Sequence, residues 1–496
     1  MNIGIVTTWF ERGAAYVSKQ YVNTLSLNNN VFIFARGGER YAECDKNWDG
    51  DNVHWSKIYQ DQCSTFFDIE EFERWIISNK IECIFFNEQV WWEPILWCNS
   101  KGIKCGAYID YYTEETIPFF GKYDFLICNT KRHYDIFKNH NQSYYVPWGT
   151  DVGLFEMPNN QLKEEDKVVY FHSAGFNPIR KGTKETILAF QMLSSKYKDK
   201  CKLIIHTQVT LESRIPDIVK VLKETANIII ITETVAAPGL YHLGDVYVYP
   251  SQLDGLGLTV AEAFSCGLPV IMTDNAPMTE FGNDYIQKKI HVNNFHSRSD
   301  GYYWPVADIS VPDLFLKMEY FIKNMKEIPR LKTMAREYAV SKLDWSNNTD
   351  IINKIFADSI LLKHDDETNT IHQYDKKRRP IRVINEQFHA NIMRLQTIFN
   401  RYKGTRFFIY PFGFQAKTII KLINFDKKDL IGIIDEKNIY CEDLPVYSVD
   451  KLRDYSEALV FICSFIHRES LKKAVLNIPN FRGTIVELFQ NESETF

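Results

Sequence analysis

The stretch DGLGLTVAEAFSCGLPVIMTD, Asp254 to Asp274, sets one carboxylate, Asp254, eight positions before another, Glu262, with a glycine loop and the start of a helix between them. Glycines at 255 and 257 let the backbone approach a ligand closely. The helix that Thr259 or Val260 begins offers unpaired N–H groups to an anion. Asp254 can accept hydrogen bonds from sugar hydroxyls, and Glu262, about one turn into the helix, can accept them from a ribose diol. Such an arrangement suits a sugar joined to a diphosphate. An ordinary α/β core with a strand, a glycine turn and a helix carries the same GLG, which alone is a weak signal.

The flanks make the signal specific. The apolar run DVYVYPS (Asp245 to Ser251) comes just before, and CGLPVIMTD closes the segment. Together they resemble the donor-site signature of family 4 glycosyltransferases of the GT-B fold. That resemblance implies an α/β architecture of two facing Rossmann-like domains, with the active site in the cleft between them and the donor held by Asp254, Gly255, Leu256, Gly257, Leu258, Thr259 and Glu262. The family usually has Glu at the first acidic position, where this chain has the shorter Asp254.

A length of 496 residues exceeds one hydrophobic core, and a prior of about 150 residues per domain predicts roughly three. Hydrophobic content of 45% beside 24% charged residues is that of a globular protein, and a formal charge of -5 speaks against nucleic acid as a partner. The start, MNIGIVTTWF, reads as a first β-strand rather than a signal, since it lacks a basic region and a long apolar core. Apolar runs such as IECIFF from Ile81 are strand-sized, so any membrane association is expected to be peripheral, at the inner face. Ten cysteines from Cys44 to Cys463 include no CxxC pair and suit reduced core residues in a cytoplasm. Twelve histidines without ligand spacing give no metal site, and no cofactor is expected. The oligomeric state is not encoded in any of these features.

Along the chain, strands alternate with amphipathic stretches. NIGIVTTWF, a helix from about Ala15 to Leu27, VFIFAR from Val31, IECIFFN from Ile81, KCGAYID from Lys104 and DFLICNT from Asp124 predict a parallel, doubly wound sheet over residues 1–150. The pattern breaks at YYVPWGTDVGLF (Tyr144 to Phe155), which resembles the family's hinge. A second domain, 151–362, begins with KVVYFHSAG (Lys167 to Gly175) and continues through CKLIIHT, NIIIIT, DVYVYPS and LPVIMTD. The resemblance implies that Trp345 and the helix after it cross back to the first domain. Residues 363–382, KHDDETNTIHQYDKKRRPIR, have the composition of a solvated linker. A third domain, 383–496, again reads strand, turn, helix, strand in FFIYPFGFQAKTIIKLI (Phe407 to Ile423), DLIGIIDE, LPVYS and ALVFICS. It resembles the small Rossmann-like domain attached to sugar acetyltransferases and some sugar methyltransferases. Gly413 is the only glycine in its first turn, so nucleotide binding and a structural or docking role both stay open.

Other candidates follow from the resemblance. YFHSAGFNPIRKGTKETILAF, from Tyr170, resembles the first strand and loop of the donor domain, whose arginine and lysine clamp the diphosphate. Lys181 before Gly182 matches the lysine, and with Phe176 or Asn177 at the arginine position, Arg180 is the substitute. A departing nucleoside diphosphate gains negative charge, which calls for such cations; the bland alternative is a solvated turn. WFERGAAYVSK (Trp9 to Lys19) resembles the acceptor-domain loop with its glycine pair, Gly13 matching the first and Ala14 standing at the second; a glycine that only starts a helix reads equally well. Where the family often has a histidine after the strand KCGAYID, this chain has Ile109, Asp110, Tyr111 and Tyr112. Asp110 can accept a hydroxyl hydrogen bond or act as a base toward the acceptor, or it can be a helix cap. His133 and His172 are alternatives. Glu280, in NAPMTEFG, matches an acidic residue that helps hold the donor, and a carboxylate at a helix start looks the same.

These readings converge on a retaining, metal-independent hexosyltransferase moving a sugar from a nucleotide-diphosphate donor to a hydroxyl on a glycan, lipid-linked or protein acceptor, in surface polysaccharide or glycoconjugate biosynthesis. Asp110, Lys181 and Asp254 are the expected catalytic residues. Two rivals remain: a non-catalytic GT-B-like subunit that binds a glycan or a partner enzyme, and a nicotinamide-dependent oxidoreductase, against which the missing GxGxxG counts.

Overall fold

A computed structural model describes residues 1–36, 42–56, 65–156, 166–364, 368–377, 381–413, 415–416, 419–420, 423–436, 444–464 and 467–489. They fall into two compact units: Met1–Ser18, Asn29–Ile103 and Asp365–Phe496 make the first, Lys19–Asn28 and Lys104–His364 the second.

The first unit opens with β1 (Asn2–Thr7), β2 (Asn30–Ala35), β3 (Val53–Trp55) and β4 (Cys83–Asn87), parallel in the order β3-β2-β1-β4. The near-continuous apolar runs of β1 and β4 are buried throughout, as strands covered on both faces require. The helix Ile69–Asn79 turns Phe72, Trp75 and Ile76 inward at helical spacing. Asp68 caps its start by accepting from the Glu71 amide, and Lys80 ends it in the left-handed conformation.

In the second unit, β5 (Lys104–Tyr108), β6 (Phe125–Cys128) and β7 (Ser143–Tyr145) pair in parallel. Next come β8 (Val168–Gly175), β9 (Cys201–Thr207), β10 (Ile228–Thr232), β11 (Val246–Tyr249), β12 (Val270–Thr273) and β13 (Gln287–Ile290). They form a parallel six-stranded sheet in the order β10-β9-β8-β11-β12-β13. Its core of Val168, Tyr170, Ile205, Val246, Val248 and Ile271 packs against Phe190 and Leu193 of the helix Thr183–Tyr197. An antiparallel hairpin, β14 (Val292–His296) and β15 (Val306–Ile309), follows the sheet. Trp345 returns to earlier residues of this unit, packing on Trp148 with ring centroids 4.8 Å apart and donating from Nε1 to Thr24 Oγ1 at 2.8 Å.

The first unit resumes with the helices Thr368–Lys377 and Ile381–Arg401 and a five-stranded parallel sheet. Its strands are β16 (Phe407–Tyr410), β17 (Leu430–Ile434), β18 (Val446–Tyr447), β19 (Leu459–Ile462) and β20 (Ile485–Glu487), in the Rossmann-like order β18-β17-β16-β19-β20. Along β16, Phe407 and Ile409 enter one apolar cluster while Phe408 and Tyr410 enter another, so alternate residues fill cores on the two faces. Within the stretch that composition marks as a linker, Thr368–Lys377 is a helix with Ile371 and Tyr374 buried, and its Asp375 accepts from the amides of Trp92 and Glu93. Residues 365–367 and 378–380 of that stretch lie outside the described residues, as do parts of the turn after β16. Among the described residues, no helix is long and apolar enough to cross a membrane.

Candidate functional site

In the six-stranded sheet β8 lies between β9 and β11, so the strand order reverses there and the loops leaving the carboxyl ends of β8 and β11 part to either side of a crevice. Arg180 and Lys181 sit on the first of those loops, and Asp254 to Glu262 on the second and the helix it opens. After β8 the chain runs through Arg180 and Lys181 to Gly182, which starts the helix Thr183–Tyr197 at φ +69°. A Cβ at Gly182 would fall 2.1 Å from the Pro250 carbonyl oxygen, so only glycine lets the loop after β8 seat against the one after β11. After β11 come Asp254 and the glycine loop, and Gly257, at φ +74°, starts the helix Leu258–Ser265. Sequence spacing put that start at Thr259 or Val260. Val260, Ala261, Ala263 and Phe264 are buried, while Thr259 and Glu262, three apart, share the more open face. The Thr259 hydroxyl lies beside Tyr247. Leu256 is buried and Leu258 half-buried, leaving the loop backbone as their contribution to a ligand.

Asp254 is the hub. Its Oδ2 accepts from Lys181 Nζ at 2.5 Å, from Arg180 Nη1 at 3.2 Å and from the Tyr249 hydroxyl, and its Oδ1 accepts from the Gly257 amide at 3.3 Å. Burial alone would raise its pKa, but the two cations outweigh burial and hold the carboxyl well below the usual range. Burial lowers Lys181 to about 8 despite Asp254, with Arg180 adding to the effect and Glu262 opposing it. Lys181 also donates to the Tyr249 hydroxyl and lies over that ring, 4.6 Å from its centroid. Glu262 accepts from the Tyr241 hydroxyl at 2.5 Å; burial raises its pKa to about 7, against the pull of Tyr241 and Lys181. Lys181, Asp254 and Glu262 thus meet in one place.

The loops after β5 and β6 bring a second set of groups to the same glycines. Asp110 follows β5, and a Cβ at Gly255 would lie 1.7 Å from its Oδ1, so the carboxylate rests on the glycine loop. The helix Lys131–Phe137 follows β6, capped by Thr130, whose Oγ1 accepts from the His133 amide. His133 joins a directed chain. Trp304 Nε1, a donor only, reaches the Tyr112 hydroxyl at 2.6 Å; that hydroxyl gives its proton to His133 Nδ1 at 3.0 Å, and Nε2–H donates to the Gly255 carbonyl at 3.1 Å. Burial, reinforced by Arg132, lowers His133 to about 3, so the ring stays neutral and this tautomer persists.

Arg132 donates to the carbonyls of Asp254 and Ala276 and lies over the Trp304 ring, 5.0 Å from its centroid. Glu280 answers from the opposite side: its two carboxylate oxygens accept from the amides of Lys131 at 2.7 Å and Arg132 at 3.2 Å. Its charge therefore meets the amino end of a helix belonging to the earlier part of the chain. His172, the other histidine candidate, is spent inside the sheet, between the Val248 carbonyl and the Thr183 hydroxyl, each at 2.8 Å. Gly13 is in the first unit, where it begins the helix Gly13–Leu25.

Sequence reasoning did not single out Arg132, Tyr241, Tyr249, Tyr302 or Trp304. Arg132 carries one local signal, a place just after a Thr N-cap, and the tip SRSDGYYWP (Ser297 to Pro305) carries another, aromatics beside a turn.

Comparison with known proteins fits this geometry. Residues 155–297 match the family model described as Glycosyl transferases group 1. This region carries the likeness to group 1 glycosyltransferases. It holds the loops that carry Arg180, Lys181, Asp254, Glu262 and Glu280. Over 213 residues the chain is 26% identical to an uncharacterised glycosyltransferase of Methanocaldococcus jannaschii, a match covering 40% of this chain and 51%, about half, of that relative's length. A glycosyltransferase structure from Rickettsia africae superposes with a TM-score of 0.56 at 13% identity, covering 72% of this chain and 99% of the other. The Anabaena protein HepE, solved with UDP and glucose, gives 0.54 at 13% identity over 72% and 98%. At such identities the likeness concerns fold alone, and that fold is the α/β GT-B architecture with a further Rossmann-like sheet, β16 to β20.

Proposed function

We propose that the chain is a retaining, metal-independent glycosyltransferase that moves a sugar from a nucleotide-diphosphate donor to a hydroxyl of a glycan, lipid-linked or protein acceptor. The observation that carries this reading is the meeting of Lys181 and Arg180 at Asp254, at the point where the strand order reverses, with the helix Leu258–Ser265 and Glu262 alongside. Lys181, Arg180 and the free amides at the start of that helix hold the diphosphate. Glu262 takes the ribose diol. Asp254 keeps both cations in place and, with Asp110 on the glycine loop, faces the sugar hydroxyls.

In the reaction the bond from the anomeric carbon to the diphosphate oxygen breaks, and the acceptor oxygen bonds to that carbon on the same face. The acceptor proton passes to the departing oxygen, whose new charge the cations stabilise. No carboxylate of the chain attacks the sugar. Surface polysaccharide or glycoconjugate synthesis at the inner face of a membrane is the setting that suits such acceptors.

The Anabaena structure of the same fold holds UDP and glucose, which makes UDP-glucose the first donor to try. Binding of UDP-, GDP- and ADP-sugars, followed by transfer and donor hydrolysis, tests the reading. Glu262→Ala is expected to weaken binding of the successful donor by about 1.5–3 kcal/mol, the worth of a hydrogen bond to a charged group, while the protein stays folded. Tight glycan or partner binding without turnover of any donor would favour the non-catalytic subunit instead.

A further inference from the structure

The tip of the β14–β15 hairpin, Ser297 to Pro305, lies outside the donor machinery described so far except through Trp304, yet it is bonded along the short segment that carries Asp110. Gly301, at φ +74°, turns the tip. Tyr302 then forms an isolated antiparallel bridge with Thr113, and the Tyr303 amide donates to the Tyr112 carbonyl at 2.9 Å. The Tyr302 hydroxyl donates to the Asp110 carbonyl at 3.1 Å. Its ring stacks on Tyr111, with centroids 5.2 Å apart and planes 9° from parallel, and Arg298 lies 5.3 Å from the same ring. Arg298 is in turn paired with Asp300, whose Oδ1 accepts from the Tyr302 amide at 3.2 Å. Tyr302 is buried, and its ring and hydroxyl are both engaged.

We infer that Tyr302 is a positioning residue for sugar transfer: by holding the Asp110 backbone, it fixes where the Asp110 carboxylate sits on Gly255, and so governs handling of the donor sugar rather than affinity for the nucleotide. The inference rests on the transfer reading above. Its physical basis is a difference in attachment. Lys181, Arg180 and Glu262 are placed by the loops and helices after β8 and β11, whereas the Tyr302 hydroxyl and amide bond to Asp110 and Asp300. Asp110 sits at the end of a strand, and the Tyr302 hydroxyl bonds its backbone directly. A carboxylate displaced by even an ångström from a reacting sugar loses much of its effect.

Tyr302→Phe tests this, because it keeps the ring against Tyr111 and removes only the hydroxyl. Binding of UDP and UDP-glucose is measured alongside transfer, with GDP and GDP-mannose or ADP and ADP-glucose in their place if the wild type prefers them. The variant is expected to keep the wild-type melting temperature and a nucleotide Kd within about twofold, while kcat falls about threefold to tenfold, the range for one lost hydrogen bond. In an Asp110→Asn background the same change is expected to have little further effect on kcat. Equal losses in nucleotide affinity and kcat, full multiplication of the two substitutions, or an unaltered kcat would each overturn the inference while leaving the transfer reading intact. A wild type that binds and transfers none of these donors overturns both.

Discussion

Lys181 gives the sharpest test of the site, because its charge depends on its surroundings. Burial brings its pKa from 10.5 down to about 8, so protonating it in place costs about 3 kcal/mol relative to water, at 1.36 kcal/mol per unit. A bound diphosphate supplies the negative charge that offsets this, so donor binding and protonation of Lys181 favour each other. Below about pH 8 the lysine is already charged and its contribution to affinity is flat. Above it the free site loses the proton, and binding must restore it, so affinity falls as pH rises. At about pH 9, one unit above the folded value, the expected weakening is about tenfold, or 1.4 kcal/mol. Calorimetric or fluorescence titration of the preferred nucleotide between about pH 7 and 9 reads this directly. Lys181→Met keeps the apolar stem over Tyr249 and removes the charge; it is expected to bind about 10- to 100-fold more weakly at pH 7, as loss of a charge-assisted contact implies, and to show no step at pH 8. A wild-type affinity that does not change across this range, or a step that persists in Lys181→Met, refutes the placing of Lys181 on the diphosphate.

Two glycines test the packing of the site. At Gly255 a methyl group would lie 1.7 Å from Asp110 Oδ1, so Gly255→Ala is expected to cost about 1–3 kcal/mol in thermal or urea unfolding, and much less when Asp110 is also alanine. Equal costs in both backgrounds would mean that Asp110 does not sit on the loop. Gly182→Ala meets the Pro250 carbonyl at 2.1 Å and a left-handed backbone, so a loss above about 2 kcal/mol is expected, with no relief from changes at Asp110.

The sequence by itself determined the long apolar strands of the sheets and the local machinery of the glycine loop, but not the short or polar strands β3, β7 and β13 or the β14–β15 hairpin, which carry no such run. Runs such as VYVY and VIMT have to be buried strands, and a glycine pair before an amphipathic helix has to bring free amides near whatever occupies the crevice. Glu262 could be placed about one turn into that helix because helical spacing is a property of neighbours. Which groups face one another was settled by tertiary structure. Asp254 and Lys181 are 73 positions apart, Arg132 and Asp254 are 122 apart, and Tyr302 and Asp110 are 192 apart. Nothing periodic links such pairs, and a carboxylate's partner depends on where separate strands end. Glu280 shows the consequence: its sequence context suits a donor ligand and a helix cap equally, and only the approach of the helix Lys131–Phe137 determines that its oxygens meet backbone amides. The same reason hid Tyr302 and Trp304, whose contacts arise when a hairpin tip folds back on a loop that the sequence placed far away.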